Sequence, residues 1–415
     1  MTNRLAAIEI IKTLHRSGFQ ALLAGGCVRD KLLKRPAKDY DIATDAAPKQ
    51  VIKLFRRTIK VGAKFGVIIV LIQKQQVEVA TFRTETGYVD GRHPTSVKFS
   101  NPKEDASRRD FTINGMFYDP IQKKVIDYVK GQADLKKRLI RTIGKPNERF
   151  SEDYLRMLRA IRFSTQLNFK IEPETLNAVC KNAKKITKIS AERIASELEG
   201  TLIGPNRPTG AKLLIKAKLT QIIFPGIEDK HTRFAVNVLA DLPDKINFPL
   251  ALSAFFAACD TDFAIQNCKK LKLSTNQTKH IKFLLVGRGK LLDKDMSLAK
   301  LKLTLASVYF EDLYQLQKAI QKAARKTIAP LTALRKRINA LGDIELKPKP
   351  LLDGHELMNL GALSGPALGK LAKQMYIAQL EEIITTKTNA KNWVKTRLKK
   401  QKKPGQTHIK KRPVI

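Results

Sequence analysis

The chain is poor in the residues that would place it in several common classes. Of its 415 residues only four are cysteine: Cys27, Cys180, Cys259 and Cys268. No two form a CxxC pair and none has a histidine at zinc spacing. Neither a disulfide framework nor a structural zinc site is therefore expected, and the reduced thiols of a cytoplasmic protein fit. Long apolar runs are also missing. The best candidates, Gly66 to Ile72 and Phe248 to Cys259, fall well short of the ~18 residues of a membrane span. The polar opening Met1-Thr2-Asn3-Arg4 turns amphipathic, so no signal peptide is expected. No repeat of fixed period occurs. Acid is the most telling shortage: 38 Asp and Glu stand against 78 Lys and Arg, a formal net charge of +40. Such an excess makes a polyanion the expected partner, nucleic acid ahead of membrane lipid. A hydrophobic fraction of 43% suffices for a real core, and at ~150 residues per domain the length suggests about three domains.

The first part of the chain alternates strand-like and helix-like segments, the pattern of layered sheet and helix. Leu5 to His15 has apolar residues at helical spacing, and Phe19 to Ala24 is an apolar run ending at Gly25-Gly26. Val28 to Leu33 reads as helix, Asp39 to Thr44 as extended, and Pro48 opens a helix at the position where its missing N–H costs nothing. Val67 to Ile72 reads as a buried strand and Val77 to Phe82 as a half-buried one. Thr84 to Asn101, rich in Gly, Pro and charge, reads as a mobile loop. After Asp134 the strand signals mostly vanish and the remainder reads as helical. Pro366 begins the last clear helix, with Leu368, Leu371, Met375 and Leu380 on one stripe. Lys391 to Ile415 holds ten Lys and Arg and no acid, a composition expected to be frayed or disordered.

Four clusters carry potential chemistry. Gly25-Gly26-Cys27-Val28-Arg29-Asp30 links a strand to a helix; glycines there let backbone N–H groups approach a phosphate, and Arg29 adds a charged fork. A plain structural turn is the alternative. Asp39 and Asp41 lie at i and i+2 of an extended segment, so both carboxylates project to one face. Paired carboxylates suit a hard divalent ion, Mg²⁺ above all, and two-metal phosphoryl or nucleotidyl transfer needs such a pair beside a phosphate cradle. Glu78 is either a third carboxylate or an outward-facing strand residue. Arg108-Arg109-Asp110-Phe111-Thr112-Ile113-Asn114 suits a phosphate or ribose contact, with Asp110 as a helix N-cap in the plainer reading. Finally, Asp153, Arg156, Arg159 and Arg162 recur at intervals of three on one helical face, with Leu155, Leu158 and Ile161 on the apolar side. That stripe reads as a surface awaiting an anion.

Together these segments resemble the class II nucleotidyltransferases, the family of CCA-adding tRNA nucleotidyltransferases and bacterial poly(A) polymerases. The likeness rests on GGCVRD (Gly25 to Asp30), DYDIAT (Asp39 to Thr44), VEVATFR (Val77 to Arg83), RRDFTIN (Arg108 to Asn114), the Gly131 to Leu135 region, EDYLRMLRAIRF (Glu152 to Phe163) and Glu192-Arg193-Ile194. Their order and spacing agree over roughly residues 20 to 200. The resemblance implies an α+β fold: a polymerase-β-like head with a mixed sheet, then an all-helical neck, body and tail in a seahorse shape. It implies a catalytic head over 1–140, a base-recognising neck over 141–205, an RNA-binding body and tail over 206–390 and a basic extension over 391–415. It implies that Asp39 and Asp41 are catalytic and bind Mg²⁺. Gly26, Arg29 and Arg109 would contact the phosphates and sugar, Asp153 and Arg156 would read the base edge, and Arg159 and Arg162 would support the nucleotide. Tyr154 stands where the family commonly has Pro, Lys34 where it has Gly, and Gly115 where it has Ala or Ser. No His-Asp dipeptide occurs, so the phosphohydrolase domain of some members is not expected.

The expected activity is CCA addition to tRNA 3′ ends from CTP and ATP, with release of pyrophosphate. The stretch Thr81-Phe82-Arg83…Tyr88…Asp90…Arg92-His93-Pro94…Val97…Phe99 resembles the flexible loop of CCA-adding enzymes, and Val61 to Val67 reads closer to theirs. The basic tail instead resembles that of some poly(A) polymerases. Polyadenylation of RNA 3′ ends, or addition of only A or only CC, is therefore kept as an alternative. A catalytically dead RNA-binding scaffold would be expected to lose one of the two carboxylates, and both are present.

Overall fold

The computed structural model describes residues 1–88, 94–342 and 345–401. The chain divides into two compact units, Met1–Leu285 and Val286–Ile415. The first begins with α1 (Asn3–Arg16), whose Leu5 N–H donates to the Thr2 hydroxyl at its N-terminus. Its buried stripe of Ala6, Ala7, Ile10, Ile11 and Leu14 follows the helical period read from the sequence. There follow β1 (Ala21–Ala24), α2 (Gly26–Leu32), β2 (Asp41–Thr44), α3 (Pro48–Leu54), β3 (Thr58–Gly62), β4 (Val67–Ile72) and β5 (Gln75–Thr81). Next come β6 (Arg83–Tyr88), β7 (Pro94–Phe99), α4 (Pro102–Arg108), β8 (Met116–Asp119) and β9 (Lys124–Asp127).

Seven of these strands make one sheet in the order β3-β4-β5-β2-β1-β8-β9. Only β2 and β5 pair in parallel, so the sheet is mixed. The two central strands β1 and β2 are largely enclosed: all four residues of β1 are buried, and so are Ile42, Ala43 and Thr44 of β2. Leu22, Ala24 and Ala43 share a core with Phe82, Ala106 and Phe117, where Phe82 meets Phe117 edge-on. Along β4 only Ile68 and Val70 are buried, so this strand is half-buried rather than fully enclosed. In β5, Val77 and Val79 face in while Gln76 and Glu78 face out, the alternation expected of it.

Two regions depart from the sequence reading. The stretch taken as a mobile loop holds a hairpin in which Arg83 pairs with Phe99, Glu85 with Val97 and Tyr88 with Pro94. Pro94 begins β7 and Gly87 lies one residue from the end of β6, so both fall at or near strand boundaries. Asp90, Arg92 and His93 of that stretch lie outside the described residues. The second departure concerns the basic tail: Lys387–Gln401 is a helix. Ala390 and Val394 are fully buried in a core with Leu371 and Met375 of the preceding helix Pro366–Leu380, and Trp393 and Leu398 pack against it. Three or four apolar residues at helical spacing hold the helix in place despite its lysines. Lys402 to Arg412, the rest of the basic extension, lies outside the described residues.

Beyond the sheet, the first unit is helical: α5 (Gly131–Lys136), β10 (Leu139–Ile140), α6 (Pro146–Glu152), α7 (Leu155–Leu167), β11 (Lys170–Ile171), α8 (Pro173–Asn182) and α9 (Ala191–Leu202), followed by further helices. The short strands β10 and β11 pair in parallel. α7 packs along α9, and Gly200 makes room for this: a Cβ there would lie 2.5 Å from Cδ of Arg162.

Candidate active site

A cleft of about 610 Å³ opens at one end of the central strands and is lined by Gly25, Gly26, Asp39, Asp41 and residues of α2, α4 and α7. Register explains its acidic pole. Antiparallel pairing sets Ala24, the last residue of β1, opposite Asp41, the first of β2. The turn after β1 and the carboxylate before β2 therefore meet at one end of the sheet. Asp39 lines the cleft from just outside β2, which begins at Asp41 rather than Asp39. In the parallel β2–β5 ladder Ile42 faces Val79, which brings Glu78 alongside Asp41. Burial, reinforced by Glu78 and less strongly by Asp39, pushes the Asp41 carboxyl up to about 6, with Arg109 pulling it back. A group of carboxylates that crowd one another in this way fits a bound cation, which would relieve the repulsion. Among the described residues no three His, Cys, Asp or Glu side chains already close a metal cage. Glu78 is exposed and acts on Asp41 through its charge.

The glycine turn carries its constraint at Gly25, which the sequence reading passed over in favour of Gly26. Gly25 has φ +74, and a Cβ on it would lie 3.0 Å from Nη1 of Arg109. A side chain there would be strained and would displace that guanidinium. Arg109 is itself braced: Nε and Nη2 donate to Asp105 at 3.1 and 3.0 Å, and its guanidinium lies 5.0 Å over Phe117. Arg29 donates to Asn114 Oδ1 at 2.8 Å and to both oxygens of Asp30.

The α7 stripe is built differently from the expectation. Asp153 precedes α7: it ends α6 in an extended conformation, and its Oδ1 accepts the Leu155 N–H at 3.0 Å. It therefore does not stand one turn from Arg156 on the same helix, although both line the cleft. Nor is the stripe short of acid, since Glu152 stands just before it and other acids arrive from elsewhere in the chain. Asp153 Oδ2 accepts from Arg193 of α9 at 2.6 Å. Arg156 donates to Glu152 at 2.6 Å and to the Arg149 carbonyl at 2.9 Å. Arg159 donates twice to Asp110, at 2.8 and 2.6 Å, and Arg162 donates to Glu197 at 2.6 Å. Asp110 is thus an arginine partner rather than a helix cap. It also accepts the Phe111 N–H and the Asn114 amide. Though buried, its carboxyl is held down to about 2, chiefly by Arg159, then by Asn114 and Arg156.

The nine residues that the resemblance assigns to the site, Gly26, Arg29, Asp39, Asp41, Arg109, Asp153, Arg156, Arg159 and Arg162, all line this one cleft, whereas Glu78 is not among its lining residues. With Arg108 and Arg193 the lining holds seven arginines against four aspartates, a cationic surface suited to a polyphosphate. Arg193 and Phe163 are the additions from structure. Arg193 belongs to a quoted segment, but nothing local marks it as the partner of Asp153.

Residues 21–141 match the Poly A polymerase head domain, and residues 168–230 match the probable RNA and SrmB-binding site of polymerase A. A CCA-adding enzyme of Lactobacillus johnsonii is 34% identical over 389 residues, covering 92% of this chain and 94% of that protein. The chain belongs to the class II nucleotidyltransferase family. Another member, a CCA-adding enzyme of Bacillus subtilis, is 45% identical over 228 residues, which cover 55% of this chain and 57% of that protein. Among solved structures, the Bacillus stearothermophilus CCA-adding enzyme in complex with CTP superposes with a TM-score of 0.81 at 27% identity, covering 97% of this chain and 99% of that one. The Thermotoga maritima CCA-adding enzyme complexed with tRNA shares the fold, with a TM-score of 0.67 at 19% identity over 96% of each chain.

The departures from the family pattern now have local accounts. Lys34 adopts φ +56, the backbone region for which glycine is the usual choice. At Gly115 a Cβ would lie 2.7 Å from Val129 and 2.9 Å from Ile143, so these neighbours occupy the space an alanine would need. Tyr154 has φ −63, a value proline would also hold. None of the three alters a charged group of the cleft. Among the described residues no helix is long and apolar enough to cross a membrane.

Proposed function

We propose that this nucleotidyltransferase adds C, C and A to tRNA 3′ ends from CTP and ATP, releasing pyrophosphate. The observation that carries this reading is the single cleft in which the Asp39–Asp41 pair, the arginine bank and the Asp153–Arg156 pair converge. The names of the relatives that span the chain support it.

In this reading Asp39 and Asp41 hold Mg²⁺, which when bound lowers the cost of activating the RNA 3′-hydroxyl and of charge on the leaving pyrophosphate. Arg29, Arg109, Arg159 and Arg162 hold the triphosphate, with Gly26 allowing its close approach. Asp153 and Arg156 choose the base. Cytosine and adenine each present an amino donor beside a ring-nitrogen acceptor, where uracil and guanine present a carbonyl. A carboxylate accepts from the amino group and a guanidinium donates to the ring nitrogen. The internal contacts leave capacity for this. Each Asp153 oxygen has one protein donor, from Arg193 or Leu155, and so keeps a second lone pair. Arg156 is tethered mainly through Nη1, which leaves Nε for a base edge. Pairing already present in the free protein fixes both groups before the nucleotide arrives, so little freedom is lost on binding. The domain roles follow: a catalytic head over 1–140, a base-reading neck over 141–205 and RNA binding over 206–390, aided by the basic extension.

The test is incorporation on tRNA lacking its last three nucleotides, with CTP and ATP offered separately and together. Two additions from CTP alone, and three and no more from both, are expected. Long adenylate tails from ATP alone on unrelated RNA would favour polyadenylation, the reading to which the basic C-terminus lends weight.

A further inference from the structure

Phe163 is not among the charged residues to which the chemistry points, yet three of them converge on it. The guanidinium of Arg29 lies 5.4 Å over its ring centroid, that of Arg159 5.3 Å and that of Arg162 4.4 Å. Arg29 comes from α2 beside the sheet, whereas the other two share α7 with Phe163. Each has its own acid: Asp30 at 2.8 Å, Asp110 at 2.6 Å and Glu197 at 2.6 Å. Those acids hold each guanidinium along an edge, and Glu197, which also lies 3.8 Å from Arg159, links the two α7 arginines, but none of them brings Arg29 to the same place. Three like charges around a point repel, and an aromatic π-face is the uncharged surface that attracts cations. The ring is 7% exposed, lines the cleft, and is fixed from behind by Phe111, edge-on at 5.7 Å.

We infer that Phe163 is a positioning residue that gathers arginines from α2 and α7 around a single anion, the triphosphate of the incoming nucleotide. This rests on the nucleotidyl-transfer reading above. The ring attracts the cations without adding a further negative charge to the acids already paired with them, which a carboxylate in its place would do. Its seat in α7 explains the geometry. Arg159 and Phe163 lie at i and i+4, one above the other on the helix, and Arg162 is its neighbour, so the ring reaches both neck arginines while facing Arg29 across the cleft.

The experiment uses the full chain, with binding of inorganic pyrophosphate and of CTP measured by calorimetry without RNA, for wild type, Phe163→Leu and Phe163→Tyr. Leucine keeps an apolar side chain and removes the π-face; tyrosine keeps the π-face. Leucine is expected to weaken pyrophosphate and CTP about tenfold, the scale of one or two lost cation–π contacts. Tyrosine should stay near wild type, and in turnover the leucine variant should keep its preference for CTP over UTP, since the base-reading pair is untouched. If leucine lowers the melting temperature severely, Phe163→Met, which fills irregular space without a ring, takes its place. Wild-type pyrophosphate affinity in the leucine or methionine variant overturns the proposal, as does a loss that tyrosine shares in full. A wild-type protein that binds neither pyrophosphate nor CTP sinks the nucleotidyl-transfer reading itself, a separate outcome.

Discussion

Asp110→Asn separates the buried ion pair at the centre of the arginine bank from its surroundings. Arg159 holds the Asp110 carboxyl down from an ordinary 3.8 to about 2, which corresponds to ~2–3 kcal/mol of stability. Removing one partner of a buried pair costs ~3–5 kcal/mol because the other charge is left behind. Here the lower end applies, since the Arg159 side chain is 32% exposed and has Glu197 at 3.8 Å as a second acid. A loss of about 3 kcal/mol is therefore expected at pH 7, or ~6–12 °C in melting temperature for a unit of this size. The sign of the pH dependence follows from the direction of the shift. A carboxylate whose pKa falls on folding contributes in full above its unfolded value. That contribution is lost as pH drops through its folded value. The gap between wild type and variant should accordingly stay constant from pH 7 to about 5 and close progressively between about pH 4 and 2. Melting followed by circular dichroism at several pH values measures it. A gap under about 1 kcal/mol at pH 7, or one that does not narrow in acid, would refute the assignment of Asp110 as the charge partner of Arg159.

Three further outcomes are expected. Asp41→Asn should keep the fold by circular dichroism and lower incorporation by orders of magnitude, and chelation with EDTA should silence the wild type until Mg²⁺ is restored; near-wild-type activity in Mg²⁺ would remove Asp41 from the metal. Asp153→Ala should admit UTP and GTP while lowering CTP and ATP use by a few kcal/mol in kcat/KM, read on tRNAs ending one step short of each C and of the A. Unchanged discrimination would move base reading elsewhere. Truncation after Gln401 removes Lys402, Lys403, Lys410, Lys411 and Arg412 and should weaken tRNA binding and flatten its salt slope, with nucleotide choice unchanged. Truncation after Lys391 should instead destabilise the second unit, because Val394 is fully buried there.

What the sequence discloses depends on how far each feature reaches along the chain. β4 is legible to the residue because Val67–Ile72 is an unbroken apolar run between turn residues. The Asp39–Asp41 pair and the glycine turn are legible because each is a cluster of a few adjacent residues, although the strand expected to align the two carboxylates begins only at Asp41. The β6–β7 pairing is not, since its partners lie up to sixteen positions apart, as with Arg83 and Phe99, and its strands alternate polar with apolar only weakly. The helix break at Asp153 has no local marker: Glu152-Asp153-Tyr154 suits a helix, and the break comes with a long-range pull, the ion pair to Arg193 forty positions on. The acids that match Arg159 and Arg162 are equally remote, with Asp110 at 49 positions and Glu197 at 35, whereas Glu152, the acid of Arg156, lies only four positions back. The surplus of positive charge in the window is real, but its neutralisation is mostly tertiary.

The pairing of Ala24 with Asp41 has a consequence for how such a protein can change. Side chains in a strand alternate between faces, so sliding β2 by one residue would present Tyr40 or Ile42 to the cleft and turn Asp41 to the other side of the sheet. A single insertion or deletion inside either strand would thus erase the acidic pole at a stroke. The stretch from Leu33 to Lys38, between α2 and Asp39, is under no such restriction, because lengthening a connection costs little and does not alter which residues of the two strands oppose each other. The position of the carboxylate is written in a ladder of four residue pairs, Ala21–Thr44 to Ala24–Asp41, and those buried apolar residues guard the chemistry as closely as the aspartate itself.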